Sequence, residues 1–223
     1  MSQTSVPVIA IDGPTASGKG TVAQRVADKI GFHYLDSGSL YRLTALAAQQ
    51  GGVDLANGQD VAQIAANLKI AFRDGKTLLD GNDVGNEIRT ESASQNASRV
   101  AALPEVREAL LSLQRGFRLP PGLVADGRDM GSVVFPDAVL KVFLTASADA
   151  RADRRTKQLK EKGMSAIMSD VVKELRARDE RDMSRPVAPL KHYPDAYLLD
   201  TTGISADEAV QKILAWAQKS VGS

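Results

Sequence analysis

Apolar positions along the chain alternate between two textures. Val8 to Ile11, Phe32 to Leu35, Leu123 to Ala125, Val139 to Leu144 and Ala196 to Leu199 are short, β-rich runs. Runs of that length and continuity predict strands covered on both faces. Between most of them the apolar residues recur at helical spacing. Val22, Val26 and Ile30 stand at i, i+4 and i+8, and Gly31 supplies a stop. Strands alternating with helices predict an α/β fold, a doubly wound parallel sheet of five strands.

Two stretches interrupt that rhythm. Between residues 53 and 103 a helix-like run (Val61, Ile64, Ala65, Leu68) precedes two strand-like runs, Lys69 to Arg73 and Lys76 to Asp80, joined by Asp74-Gly75. An Asp-Gly pair between strand-like runs predicts a hairpin, so 53–103 is expected to be a small α/β insert. Residues 148–185 are charged and helix-rich with a break at Gly163, as expected of a mobile cover. Within them Met168, Val171, Val172 and Leu175 form one apolar stripe. Continued at 100° per residue, the stripe reaches Asp182, with Arg178 and Arg185 along its edge. Ser205 and Glu208 have the spacing of a capping box, which opens a last amphipathic helix through Trp216. One domain is expected, with 1–52, 104–147 and 186–223 as its core.

Four strand-like runs lead into Asp12, Asp36, Asp126 and Asp200. Strand ends in such sheets deliver groups to one ligand edge. Helix capping is the competing reading, and it suits Asp200 best. Directly after Asp12 come Gly13-Pro14-Thr15-Ala16-Ser17-Gly18-Lys19-Gly20-Thr21. Glycines let backbone N–H groups close around a phosphate, the following helix adds its positive end, and Lys19 adds a cation. Strand, loop and helix come in the order a polyphosphate site needs. The residue after Lys19 is Gly20, where a Ser or Thr usually meets Mg²⁺, and the hydroxyl arrives one place later at Thr21. Direct ligation of magnesium by this loop is therefore not expected.

Composition removes several function classes. The chain has 223 residues, 43% of them hydrophobic, enough for one sizeable core. It has no cysteine, which excludes disulfides and thiolate metal sites. Without an 18-residue apolar run or a signal-like start, a soluble, cytoplasmic protein without membrane partners is expected. A net charge of +1 and 4% aromatic residues give little for nucleic-acid binding. Positive charge is instead concentrated between Arg151 and Arg185.

Three further segments name a substrate. Asp36-Ser37-Gly38-Ser39-Leu40-Tyr41-Arg42 follows the second strand and Asp126-Gly127-Arg128-Asp129-Met130-Gly131 the third. Arg178-Asp179-Glu180-Arg181-Asp182-Met183-Ser184-Arg185 closes the charged helix. With the segments from Ala97 to Leu110 and from Arg185 to Leu190, they resemble the bacterial cytidylate kinase family of nucleoside monophosphate kinases from end to end.

That resemblance implies a P-loop NTPase-type fold with 53–103 as the monophosphate-binding lobe and 148–185 as a short helical lid and substrate helix. It implies transfer of the γ-phosphoryl of Mg²⁺·ATP to CMP or dCMP. ATP would lie on Gly13, Pro14, Thr15, Ala16, Ser17, Gly18, Lys19, Gly20 and Thr21, with Arg154 and Arg155 from the lid. CMP would lie on Ser37, Arg42, Ser98, Arg107, Arg128, Asp129, Arg178, Asp182 and Arg185. Of these, Arg42, Arg128 and Arg185 would hold the phosphate, Arg107, Asp129 and Ser98 the base, and Arg178 and Asp182 the ribose. Lys19, Arg128, Arg185 and Asp126 would carry catalysis, and magnesium would be held through water near Asp126 and Thr21. A monomer is implied. Cytosine offers an exocyclic amine to a carboxylate where uracil turns a carbonyl toward it, so Asp129 and Arg107 fit cytosine. A monophosphate kinase for UMP or AMP, or a non-enzymatic nucleotide switch, are the competing readings.

Overall fold

The computed structural model describes residues 6–73, 75–161, 163 and 165–221. The chain forms two compact units, one from residues 1–35 and 117–223, the other from Asp36 to Gly116.

The first unit is built on a five-stranded parallel sheet. Its strands are β1 (Val8–Asp12), β2 (His33–Asp36), β6 (Leu123–Gly127), β7 (Leu140–Thr145) and β8 (Tyr197–Asp200), in the order β2-β6-β1-β7-β8. β1 pairs in parallel with β6 and β7, and β7 with β8. All five residues of β1 and of β6 are buried, as their apolar runs require. On one face α1 (Lys19–Ile30) and α8 (Ala206–Val221) press Val22, Val26, Val210 and Ile213 against Ile9, Ile11, Val142 and Leu144. β1 leads to β2 on one side, while β7 lies on its other side. Its C-terminal end is therefore a topological switch point, where open α/β sheets leave a crevice for ligands.

The charged stretch forms α6 (Ala148–Glu161) and α7 (Met168–Met183), which pack through Ala152, Leu159, Val171 and Leu175. The break falls around Gly163, whose φ is +72°. The capping box is present: Glu208 N donates to Ser205 Oγ at 3.2 Å, and Ser205 N to Glu208 Oε2 at 2.8 Å. The helix it opens runs five residues past Trp216, to Val221.

The second unit comprises α2 (Ser37–Gln50), α3 (Gly58–Ala66), β3 (Ile70–Arg73), β4 (Lys76–Leu79), β5 (Asn82–Asp83), α4 (Glu91–Val100) and α5 (Pro104–Gly116). β3, β4 and β5 form an antiparallel sheet, with Ile70 opposite Leu79 and Arg73 opposite Lys76. That register agrees with the hairpin expectation; Asp74 of its turn lies outside the described residues. Leu43, Leu79, Val84 and Ile88 form the unit's own small core. α2 packs on α4 and α3 on α5. The helices on either side of residues 53–103 thus belong to the same compact body as those residues.

The capping expectation for Asp200 is corrected. Asp200 accepts from Thr202 N at 2.8 Å and closes a turn, while the cap at α8 is Ser205. The strand-end aspartate that caps a helix is Asp36, which accepts from Ser39 N at 3.1 Å at the start of α2. Helix α2 follows β2 without an intervening loop, so Asp36 alone is placed to receive those N–H groups.

Candidate active site

The loop after β1 is shaped by backbone conformations that few residues tolerate. Ala16 has φ +59° and Gly18 +91°, an alternation that turns successive N–H groups to one side. A Cβ on Gly13 would lie 2.0 Å from the Leu144 carbonyl oxygen, so the loop passes β7 closely enough to need glycine. α1 has no side-chain cap and no acid in its first turn. Its first N–H groups and positive dipole end are left for an anion.

Side chains from three other segments hold the loop. Arg151 donates to Thr15 O at 3.1 Å, Arg154 to Ser17 O at 3.0 Å and Thr201 Oγ1 to Ser17 O at 3.3 Å. Arg128 Nη2 donates to Thr15 Oγ1 at 2.8 Å. Arg151 is itself buried in an ion pair with Asp179 of α7 at 2.6 Å. Asp179 lies within the motif that closes the charged helix but was given no role there, and Arg151 stood only at the start of the basic stretch. The available signal was the apolar stripe of α7, which continues from Val171 and Leu175 to Asp179 and Asp182, both buried. A carboxylate at a core position needs a partner, and Arg151 meets that need.

Asp182 is the second such case. It is 1% exposed and takes Arg128 Nε at 2.7 Å on one oxygen and Arg185 on the other. Burial acts to raise its pKa, but Arg128, Arg185 and Arg178 outweigh that and hold it below the usual carboxylate range. Burial alone would lower the pKa of Arg128; Asp182, Asp126 and Asp179 reverse this and raise it. Arg178, one turn before Asp182, acts on it through its charge, while the bonds come from Arg128 and Arg185. Arg128 links this cluster to the phosphate loop through Thr15.

Asp12 does not serve the ligand edge as expected from its place at a strand end. It is buried and accepts from Met130 N at 2.8 Å and Gly131 N at 2.9 Å. It thereby braces the π-helical turn Met130–Val134 directly after Asp129. Burial, with help from Asp129 and against those two N–H groups and Arg128, pushes its carboxyl up to about 7. Asp126 is also buried, and Tyr34 donates its phenol proton to Asp126 Oδ2 at 2.6 Å.

Beside the loop lies a cavity of about 340 Å³ lined by Gly18, Thr21, Arg154, Arg155, Thr201 and Ile204 among others. Arg154 also bonds Thr201, and Arg155 bonds Gln158 at 3.1 Å. Thr201 and Ile204, which follow β8, carried no sequence signal of their own.

In the second unit, Arg42 pairs with Asp36 and donates to Ser39 Oγ at 2.9 Å. Ser37 is buried at the start of α2 and Ser98 on α4. Arg107 is buried on α5, donates to Ala101 O at 3.2 Å and lies 5.7 Å from the centre of the Tyr41 ring.

The cytidylate kinase family profile matches residues 9–219. The chain belongs to the cytidylate kinase family. It is 56% identical to a cytidylate kinase of Polynucleobacter asymbioticus over 98% of this chain and 99% of that protein. With a cytidylate kinase of Burkholderia cenocepacia it shares 58% identity over 94% of this chain and 92% of the relative. Among solved structures, a gluconokinase from Sinorhizobium meliloti aligns with a TM-score of 0.51 at 14% identity, covering 97% of this chain and 95% of that one. That likeness concerns the fold. The fold class agrees with the α/β P-loop expectation. His33 Nε2 lies 2.9 Å from Pro120 O and His192 Nε2 2.8 Å from Ala196 O.

Proposed function

We propose that this chain transfers the γ-phosphoryl of ATP directly to CMP and dCMP, forming CDP or dCDP and ADP. The observation that carries the reading is Arg128: one guanidinium bonds both Thr15 of the phosphate loop and the buried Asp182 that also holds Arg185. Arginines of the acceptor-phosphate type are thus tied to the donor loop.

The acceptor oxygen of CMP is already anionic at neutral pH, so no general base is needed. Catalysis then rests on alignment and on charge offset. Loop N–H groups and Lys19 take the donor phosphates. Arg42, Arg128 and Arg185 take the acceptor phosphate, Arg178 and Asp182 the ribose, and Ser98, Arg107 and Asp129 the base. The cavity beside Gly18 suits the donor's nucleoside, with Arg154 and Arg155 at its wall.

Among the described residues no group of three or more His, Cys, Asp or Glu side chains is placed to hold a metal ion. Asp126 and Thr21 offer oxygen donors beside the loop, a set that fits magnesium arriving with ATP and held through water. Bound in that way, Mg²⁺ would offset charge on the donor phosphates. No helix among the described residues is long and apolar enough to cross a membrane. A monomer acting in the cytoplasm is part of the same proposal.

ADP release with ATP·Mg²⁺ against CMP, dCMP, UMP, AMP and GMP at equal concentration tests it. Turnover with CMP and dCMP well above the others is expected. Activity centred on UMP or AMP would overturn the base assignment, and no acceptor-dependent turnover would overturn the reaction.

A further inference from the structure

We infer that Tyr34 is a positioning residue of the donor site, which fixes the Asp126 carboxylate at the start of α1 and supplies there the hydroxyl that the loop lacks at Gly20. The inference rests on the proposed use of ATP·Mg²⁺.

Three observations converge on it. First, the 2.6 Å bond from the Tyr34 phenol to Asp126 Oδ2 is of the short, charge-assisted kind formed by a hydroxyl on a carboxylate. Second, Gly20 faces this pair. A Cβ at Gly20 would lie 3.6 Å from Tyr34 Oη and 3.8 Å from Asp126 Oδ2. Both are ordinary contacts, so the position is not closed to a small side chain; the polar space next to it is taken by the phenol. Third, the ring of Tyr34 packs against the core beneath α1 and α8, and β2, which carries it, is the sheet neighbour of β6, which carries Asp126. A ring locked by packing holds its hydroxyl at one place.

These features replace a local hydroxyl with one delivered from an adjacent strand. In a loop with Ser or Thr after the lysine, that side chain meets the ion at the helix start. Here the loop gives only hydrogen at that position, and the nearby acid is oriented from the side. With its O–H engaged by Asp126, the phenol can take part in a further hydrogen bond only as an acceptor. Outer partners that orient a metal-handling acid typically matter about 10- to 100-fold in metal affinity or activity.

The test compares wild type, Tyr34→Phe and the double variant Tyr34→Phe/Gly20→Ser. Mn²⁺ affinity of the protein–ATP complex is measured by electron paramagnetic resonance, beside kcat and KM for CMP and ATP. Phe keeps the ring packing and removes only the hydroxyl, and thermal melting checks that the fold is retained. Expected for Tyr34→Phe is about 10-fold weaker Mn²⁺ binding with KM for CMP unchanged, and recovery of most of that loss in the double variant. Unchanged Mn²⁺ affinity in Tyr34→Phe overturns the role of Tyr34, and a loss that Gly20→Ser does not recover overturns the replacement of the loop hydroxyl. Wild type that shows neither Mn²⁺ binding with ATP nor CMP turnover would overturn the kinase reading itself, which separates the two failures.

Discussion

The phosphate loop and the acid–arginine cluster at the end of α7 are both suited to phosphate, by opposite means. The loop uses backbone: left-handed conformations at Ala16 and Gly18, an uncapped helix start, and a single lysine, Lys19. The cluster uses side chains, with Arg128 and Arg185 converging on one buried carboxylate. The difference separates two demands. The cradle's shape is set by backbone conformation, so removing its lysine is expected to cost little stability. A side-chain cluster is part of the core, and its charges depend on one another for burial.

The largest effects should break the two regions in different ways. Lys19→Ala is expected to lower kcat by about 100-fold or more, as for loss of a group that acts on charge in the transition state, with little change in melting temperature. Asp182→Ala should weaken both function and fold. Removing that carboxylate takes an ion-pair partner from both Arg128 and the buried Arg185, a destabilisation of about 3–5 kcal/mol, with a raised KM for CMP. Urea unfolding beside steady-state kinetics reads both. Equal loss of stability in the two variants would remove the distinction.

Asp129→Ala sharpens the assignment within the acceptor site. The discrimination for CMP over UMP in kcat/KM should fall by the equivalent of about 1–3 kcal/mol, because an acceptor facing cytosine's amine would be gone. An unchanged ratio would take base reading away from Asp129.

The smallest expected effect concerns pH. Asp12 titrates near 7 in the folded protein, above its ordinary value of 3.8, chiefly through burial. The folded state therefore binds more protons than the unfolded state between those values, and stability contributed at this site falls as pH rises from about 4 through 7. Asp182, held low, acts in the opposite direction: its contribution is present above the ordinary carboxylate range and is lost as pH falls below it. Unfolding of wild type and Asp12→Asn at pH 5 and pH 8 isolates the first effect. Wild type should lose stability relative to the variant on going to pH 8; parallel behaviour would mean Asp12 does not titrate there.

The same contrast explains what could be read before the fold was known. The loop is contiguous, so Gly13 to Lys19 announce it, and the sheet follows from apolar runs that are buried on both faces. Resemblance to a family pointed to Arg128, Asp182 and Arg185 individually, yet their convergence joins positions far apart in sequence. Asp12 looked like a ligand-edge group because it ends a strand; its two backbone partners at Met130 and Gly131 are visible only in three dimensions. Arg151 stood only at the start of the basic stretch, and Asp179 only as one residue of the motif that closes it. Their ion pair shows that the charged helix pair also props the phosphate loop. Asp182 was legible in one respect, as a charge standing where an apolar stripe should have continued.

Direct transfer from ATP to CMP is the central claim, and phosphorus NMR of a mixture of the protein, ATP·Mg²⁺ and CMP tests it most directly. The account predicts CDP and ADP appearing in equal amounts without inorganic phosphate, and no change when CMP is omitted. Inorganic phosphate released at the same rate with or without CMP, or no CDP at all, would contradict it.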